Sequence, residues 1–447
     1  MPPTGSVGDP LGTDAGKDGP RPVCMIVHAY YEEDPRVRRE AEALVAAGRP
    51  VDVFALRHPG AGPTDDIEGV TLHRLPVARH QGASLATYAI EYLYFLARAT
   101  WAVREGHRRR AYGLVHVHTL PDGLVFAALP LRMAGIPVVL DLHEAMPEFF
   151  RSRFPRQANP LTVGLLRLQE RLAIAAADAL LTVNDALAER LIRLGVPASK
   201  ITVLLNTPAP NRFVVGQHAS RPFMADGVLR LVYAGALTPT YELEVLLEGM
   251  AEIARHRPDL DVRAELYGRG DLRDRLANRA TALGIADRVA LHGRVPLESV
   301  AAAIAAADIG VAPTRQDAFT DFSLSTKILE YAVMGKPVVA SRLPTVERYF
   351  STETLSLYVP GDARDLARAI LRLVDDPAER ASRLARTDQR LVELGWERET
   401  DRYLALVERL ALDGRDRQAA PSPPVSAAAV SDERPTVAER PEPTLDG

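Results

Sequence analysis

The stretch Ser323-Leu-Ser-Thr-Lys-Ile-Leu-Glu-Tyr-Ala-Val-Met-Gly-Lys-Pro-Val-Val-Ala-Ser341 reads as a loop, a short helix, a tight stop and a buried strand. Ser325 has the chemistry of an N-cap, its hydroxyl able to accept from a free amide of the first turn. Ile328, Leu329, Ala332 and Val333 fall on one helical face, which predicts packing on a sheet. Gly335 stands where a left-handed stop is wanted, and Pro337 keeps the helix from resuming. Pro337 to Ala340 is then a short apolar strand of the parallel-sheet kind.

Lys327 lies in the first helical turn and Glu330 three residues on, near the same face. Exposed amides at a helix start, with a lysine beside them, suit a phosphate group. A carboxylate one turn deeper suits a sugar diol, because it can accept from two hydroxyls. Together they would fit a nucleotide diphosphate. The competing reading is a solvated lysine and a glutamate that only complements the helix dipole.

Working outward, strands and helices alternate along the chain, which predicts an α/β class with parallel, doubly wound sheets. Arg21 to His28 is an apolar strand, Ala29 to Gly48 becomes a helix, and Val51 to Leu56 is the next strand. Ligands of such sheets bind at the carboxyl ends of strands, pointing to residues 28 to 39. There Arg36, Arg38 and Arg39 read as acceptor contacts or as a solvated first turn. Leu114 to His118 is a strand whose last residue is His118, with His116 on the same face. Ile136 to Leu142 is another, and Asp141, His143, Glu144 and Glu148 cluster at its end, a group able to bind sugar hydroxyls or hold a base. Further helices are expected at 124 to 134, 161 to 177 and 185 to 194. Asn206 to Asn211, with its two prolines, reads as a hinge. In the second half, Leu229 to Tyr233 runs into a loop with Gly235, and Val262 to Tyr267 into Gly268-Arg269-Gly270. Val289 to Leu291 leads to Arg294. Asp259-Leu260-Asp261 could suggest a metal pair, but its place before a strand and after a proline makes it a turn.

The run Lys327-Ile-Leu-Glu330-Tyr-Ala-Val-Met-Gly335-Lys-Pro337-Val-Val-Ala340 resembles the signature of glycosyltransferase family 4, and the resemblance covers most of residues 21 to 412. It implies a retaining enzyme of the GT-B fold, with two Rossmann-like domains facing across a cleft. The acceptor-side domain would span 21–207, completed by a C-terminal helix 396–412, and the nucleotide-sugar domain 208–395. Residues 1–20 read as a disordered leader and 413–447 as a disordered tail. The implied donor contacts are Gly235, Arg269, Arg294, Ser325, Thr326, Lys327 and Glu330. Glu330 would hold the ribose, and Lys327 and His118 would join it in catalysis. Arg36, Asp141, His143 and Glu144 would meet the acceptor. The run Asp34-Pro-Arg-Val-Arg-Arg-Glu-Ala41 resembles a subset from bacterial surface-polysaccharide pathways, which implies a glycan or lipid-linked sugar acceptor. Three places depart from the family. Ala236 and Tyr241 stand where an Arg and a Lys often clasp the diphosphate, and Phe322 stands where a first Glu is common.

Composition fits this reading. The chain has 447 residues, 47% of them apolar, and a net charge of -4, which gives no argument for nucleic-acid binding. Cys24, the only cysteine, is expected as a small buried hydrophobe. No metal or other cofactor is expected, since the two His near the carboxylates lack a ligand spacing. No apolar run is long enough to cross a bilayer, so no transmembrane helix is expected. The lone cysteine fits a reducing compartment, and the subset resemblance implies a cytoplasmic enzyme, with a peripheral place on the inner face of the plasma membrane left open. Residues 84 to 111 form a long helix with Tyr88, Tyr92, Tyr94, Phe95 and Trp101, closing on Arg104, His107, Arg108, Arg109 and Arg110. Such a helix can lie on an anionic membrane surface or pack in the core with a charged exit. Two other functions stay open from sequence: a nucleotide-sugar epimerase or hydrolase, and a non-catalytic nucleotide-sugar-binding scaffold.

Overall fold

A computed structural model describes residues 19–77, 85–208 and 210–419. The expected leader lies outside the described residues up to residue 18, and the expected tail from residue 420. Helix Trp396–Ala419 runs past the expected end near 412.

The first sheet contains β1 (Val23–Val27), β2 (Val51–Leu56), β3 (Thr64–Ile67), β4 (Val70–Leu75), β5 (Leu114–His118), β6 (Val138–Leu142), β7 (Ala179–Thr182) and β8 (Ile201–Val203). Among the described residues their order is β3-β4-β2-β1-β5-β6-β7-β8, all parallel except β3 against β4. Every residue of β1, β2, β5 and β6 is buried, as strands covered on both faces require. The second sheet contains β9 (Val228–Ala234), β10 (Asp261–Tyr267), β11 (Val289–Gly293), β12 (Ile309–Ala312), β13 (Val338–Ser341) and β14 (Ser356–Tyr358). Its order is β11-β10-β9-β12-β13-β14, all parallel. Strand order reverses between β1 and β5 in one sheet and between β9 and β12 in the other. Crevices are expected at these two points, beyond the carboxyl ends of the strands.

One face of the first sheet is covered by helices Leu85–Arg110 and Pro160–Ala176 and the 3-10 segment Asp122–Ala128; Phe95, Leu124 and Ala173 belong to that core. The other face takes helix Pro35–Ala46 and the C-terminal helix, whose Tyr403, Leu406, Val407 and Leu410 pack with Val37, Ala41 and Leu44. The chain thus returns to its first domain at its end. Arg39 joins the two helices and the connection between domains. Its guanidinium lies 4.3 Å over Trp396, and it donates to Thr207 O and Asn206 Oδ1. The segment read as a hinge is therefore anchored at its start, with Thr207 buried.

One expectation changes locally, and two local features are added. The helix expected at 124 to 134 is a 3-10 segment followed by the short helix Leu129–Met133, because Pro130 has no amide to continue a ladder. The hairpin of β3 and β4, turning at Glu68 and Gly69 with positive φ, was hidden by the polar, exposed sequence of β3. Asp259 and Asp261 pair with Arg257 and Arg263, so this turn is closed by ion pairs.

Candidate functional site

Helix Thr326–Val333 follows the long loop after β12, and Gly335 stops it at φ +68°. Ser325 takes the N-cap position but does not cap. Its Oγ is buried without a hydrogen-bond partner among the described residues. The first amides are therefore not closed off by the serine side chain. Ile328, Leu329 and Ala332 are buried and Val333 partly so, which fixes the helix on its sheet. That packing aims Lys327 and Glu330 at the ends of β9 and β10.

Lys327 is 6% exposed, so it is not a solvated surface lysine. Its Nζ lies 3.8 Å from the ring centre of Tyr241 and 5.4 Å from that of Tyr233. Such contacts hold a cation without neutralising it. Gly235 is needed here, since a Cβ on it would stand 2.1 Å from Lys327 Cε. Glu330 is half-buried. Burial raises its carboxyl above the usual range, opposed by Lys327 and by a hydrogen bond from Thr326. A cavity of about 450 Å³ is lined by Gly235, Ala236, Arg269, Arg294, Thr326, Lys327 and Glu330, together with Tyr267, Gly268, Val295 and Val300. The expected donor residues thus share one cavity, except Ser325, which is not among its lining.

Arg294 also lines a second cavity, of about 620 Å³, with Glu32, Glu33, Arg38, Arg212 and Glu298. Its guanidinium pairs with Glu33 of the first domain at 3.1 Å. Nothing about Arg212 marked it in sequence; only the approach of the domains brings it here. Other links cross between the domains: Ser152 Oγ donates to Asp317 at 2.7 Å and Asn184 Nδ2 to Phe322 O at 2.8 Å. Phe322, one of the departures, thus contributes its carbonyl to domain contact.

On the opposite side, β5, β6 and helix Pro35–Ala46 bring together a buried ionic cluster. Arg36 donates two bonds to Asp141, at 2.7 and 2.9 Å, and one to Leu204 O at 3.0 Å; it also meets Glu40 at 3.1 Å. Asp141 bonds His118 at 3.2 Å and His143 at 2.9 Å. Burial alone would raise the Asp141 carboxyl, but Arg36 and the histidines hold it well below the usual range. Arg36, Asp141 and His118 were expected to meet substrates, and all three side chains are buried in this cluster. The arginine is neutralised where a surface contact was expected. His118 has Nε2 buried with no partner among the described residues. His143 and Glu144 keep partial exposure and are the two of this group that can present atoms to a cleft. Glu40, His116, His118 and Asp141 offer metal-ligand atoms within 4.8 Å of one another. The guanidinium of Arg36 faces both carboxylates and burial raises the Glu40 carboxyl above the usual range, so these residues suit an ion-pair core better than a cation site.

Burial pushes Glu144 up to about 7 from 4.5, opposed by His143, and Oε2 has no partner among the described residues. The folded protein then holds this proton where the unfolded chain has released it. Folded stability should fall as pH rises from about 4.5 to about 7 and be level beyond. Glu144→Gln is expected to flatten that slope by up to about 3 kcal/mol, Asp122, likewise raised to about 7, keeping the remainder. Urea midpoints for both proteins across this pH range check it, and parallel slopes would refute the buried-carboxyl account.

Residues 34–207 match the glycosyl transferase 4-like domain, and residues 229–376 match the glycosyl transferases group 1 domain. The chain is a family 4 glycosyltransferase of the GT-B fold. The glycosyltransferase is 25% identical to the alpha-D-kanosaminyltransferase of Streptomyces kanamyceticus over 358 residues, which cover 76% of this chain and 90% of that one. It is 27% identical over 403 residues to the D-inositol 3-phosphate glycosyltransferase of Stackebrandtia nassauensis, covering 83% and 87%. Its fold is similar to that of sucrose-phosphate synthase from Thermosynechococcus elongatus, with a TM-score of 0.67 and 20% identity over 89% of this chain and 98% of that one. It is likewise similar to HepE of Anabaena in complex with UDP-glucose, with a TM-score of 0.66 and 16% identity over 87% and 100%.

Proposed function

We propose that this glycosyltransferase retains the anomeric configuration while moving a sugar from a nucleotide-diphosphate sugar to a glycan or lipid-linked sugar. One observation carries the donor half: Lys327, buried against two tyrosines, opens with Glu330, Arg269 and Arg294 onto a single cavity. Lys327 and the amides at the start of its helix meet the diphosphate. Glu330 takes the ribose hydroxyls. Arg269 and Arg294 supply the charge that Ala236 and Tyr241 do not. The solved complex of HepE with UDP-glucose supports a nucleotide sugar as donor.

The chemistry needs no protein nucleophile. The bond from the anomeric carbon to the diphosphate oxygen breaks, both electrons leaving with the diphosphate. The acceptor oxygen bonds the same face and its proton passes to the departing phosphate. Preorganised cations are strongest where that charge develops. His118 acts by fixing Asp141 and His143 behind the acceptor side, with His143 and Glu144 facing the acceptor hydroxyls. Arg36 is a positioning residue for the same cluster. No metal is required, because buried and cleft cations supply the neutralising charge. The domain limits follow the two sheets, with the C-terminal helix completing the first. A membrane surface and a cytoplasmic face belong to this reading.

Thermal-shift titration with UDP, GDP, dTDP, ADP and CMP, with and without magnesium, tests the donor half. Saturation by one diphosphate should add about 2.7 kcal/mol at 100 times its dissociation constant. Glu330→Ala should abolish the shift. An unchanged shift in that variant would sink the ribose assignment. Sugar release without an acceptor would instead favour an epimerase or hydrolase, and transfer to an inositol phosphate alone would replace the polymeric acceptor.

A further inference from the structure

Two neighbouring helices of the first domain are apolar on the side turned away from the sheet. Helix Leu85–Arg110 buries Phe95, Ala99 and Val103, yet leaves Ile90, Leu93, Tyr94 and Trp101 between 50% and 70% exposed. Helix Pro160–Ala176 buries Val163, Ala173 and Ile174 and leaves Leu161, Leu165, Leu168 and Leu172 between 51% and 74% exposed. Those four leucines recur at intervals of four, three and four, so they form one outward stripe. The two helices are close neighbours. Tyr92 Oη of the first and Gln169 Nε2 of the second each lie 2.8 Å from where a Cβ on Gly123 would stand. Met133, at the end of the short helix between them in sequence, is exposed as well. Scattered exposed leucines need no explanation, but apolar stripes on two elements packed on the same 3-10 segment do.

The charge around this patch is basic although the chain carries a net -4. Arg104, Arg108 and Arg109 are exposed on the last turns of the first helix, and Arg167 and Arg171 on the second. Glu105 pairs with Arg108 and Arg109, while Glu91 and Glu170 are buried. A second copy of the chain meeting this face across a twofold axis would set arginines against arginines. An anionic bilayer surface answers both the leucines and the arginines. The first helix follows β4, and the second, which comes after β6 and helix Met146–Arg153, leads directly into the start of β7, so both begin at the carboxyl edge on the cleft side and the basic end of the first helix lies away from it.

We infer that these two helices form a peripheral docking face for an anionic lipid surface, with Leu165 and Leu168 of the second helix and Ile90, Leu93 and Tyr94 of the first as apolar anchors, and Trp101 further along the first. Among the described residues no helix is long and apolar enough to cross a membrane, so docking is in the plane of the interface. The face stands on this surface alone. Its use in presenting a lipid-linked acceptor to the cleft rests on the function proposed above.

The test is co-sedimentation of the full chain with phosphatidylcholine vesicles, with and without phosphatidylglycerol. The bound fraction should rise about tenfold with the anionic lipid and fall with salt. Trp101 emission should move to the blue, against the packed Trp396 as internal reference. Leu165→Glu with Leu168→Glu should lower binding about tenfold, and Arg167→Glu with Arg171→Glu should erase the anionic preference. Both variants should keep the nucleotide-induced thermal shift, which reports folding and the donor site separately. Absence of anionic-lipid dependence, or vesicle binding by the leucine variant equal to wild type, would overturn the docking face. A dimer in sedimentation velocity that this variant dissociates would replace it with self-association. Loss of the nucleotide shift in the wild-type chain would instead count against the donor reading and leave the docking result standing.

Discussion

Lys327→Ala is expected to lower turnover by a factor of about 100, equivalent to roughly 3 kcal/mol of lost stabilisation for the departing diphosphate. The size follows from its surroundings. Lys327 is buried with its ammonium over two aromatic rings and, among the described residues, no carboxylate in salt-bridge contact. Its charge is therefore held in place and only partly offset, by Glu330. A cation in a water-poor cavity acts on developing negative charge more strongly than one in solvent. Lys327→Arg should restore little, because the larger planar head must pass where Gly235 leaves room only for a lysine stem. Tyr241→Ala is expected to do less harm, removing a support and not the charge. Initial rates with the donor found in the nucleotide screen check all three. A fall below tenfold for Lys327→Ala would move the neutralising role to Arg269 and Arg294.

The second large effect is on stability. Arg36→Ala should cost about 3–5 kcal/mol, since it strips a buried carboxylate of its counter-charge. Arg36 makes two bonds to Asp141 and one to Leu204 O, and all these groups are away from water. Asp141 would keep only the histidines, and Glu40 would lose its nearest cation. Combining Arg36→Met with Asp141→Leu and Glu40→Gln should recover much of the loss, because no buried charge of the cluster is then stranded. Urea unfolding measures both. A single-variant loss under about 1 kcal/mol would mean that water enters the cluster, and the expected contact with acceptor would regain its standing.

These two arginine and lysine cases show what could be read from sequence. Helix Thr326–Val333, its stop at Gly335 and strand β13 were legible because each depends on residues within one turn. The alternation of strands and helices was legible for the same reason. The burial of Lys327 was not, since it depends on Tyr241, which lies in another loop. Arg36 shows the same limit more sharply: its partner Asp141 is 105 positions away, so the sequence placed both at strand ends but could not say that they face each other. Ser325 shows that a favourable residue at the right position need not make the expected bond. In the long helix, aromatic content was visible, but only the fold separates Phe95 in the core from Trp101 outside. The exposed leucines of Pro160–Ala176 had a legible spacing, which also describes an ordinary core-facing stripe.

The return of the last helix to the first domain has a consequence for synthesis. Tyr403, Leu406, Val407 and Leu410 cover the face of the sheet that Val37 and Leu44 also cover, and Glu399 accepts from the amide of Leu205. A ribosome that has finished residues up to Val203 has made every described strand of the first sheet but only part of the cover of that face. That sheet must wait, partly uncovered, while the whole second domain emerges. The order of completion is therefore reversed relative to the order of translation: the nucleotide side can close first, and the acceptor side only when the last described helix arrives.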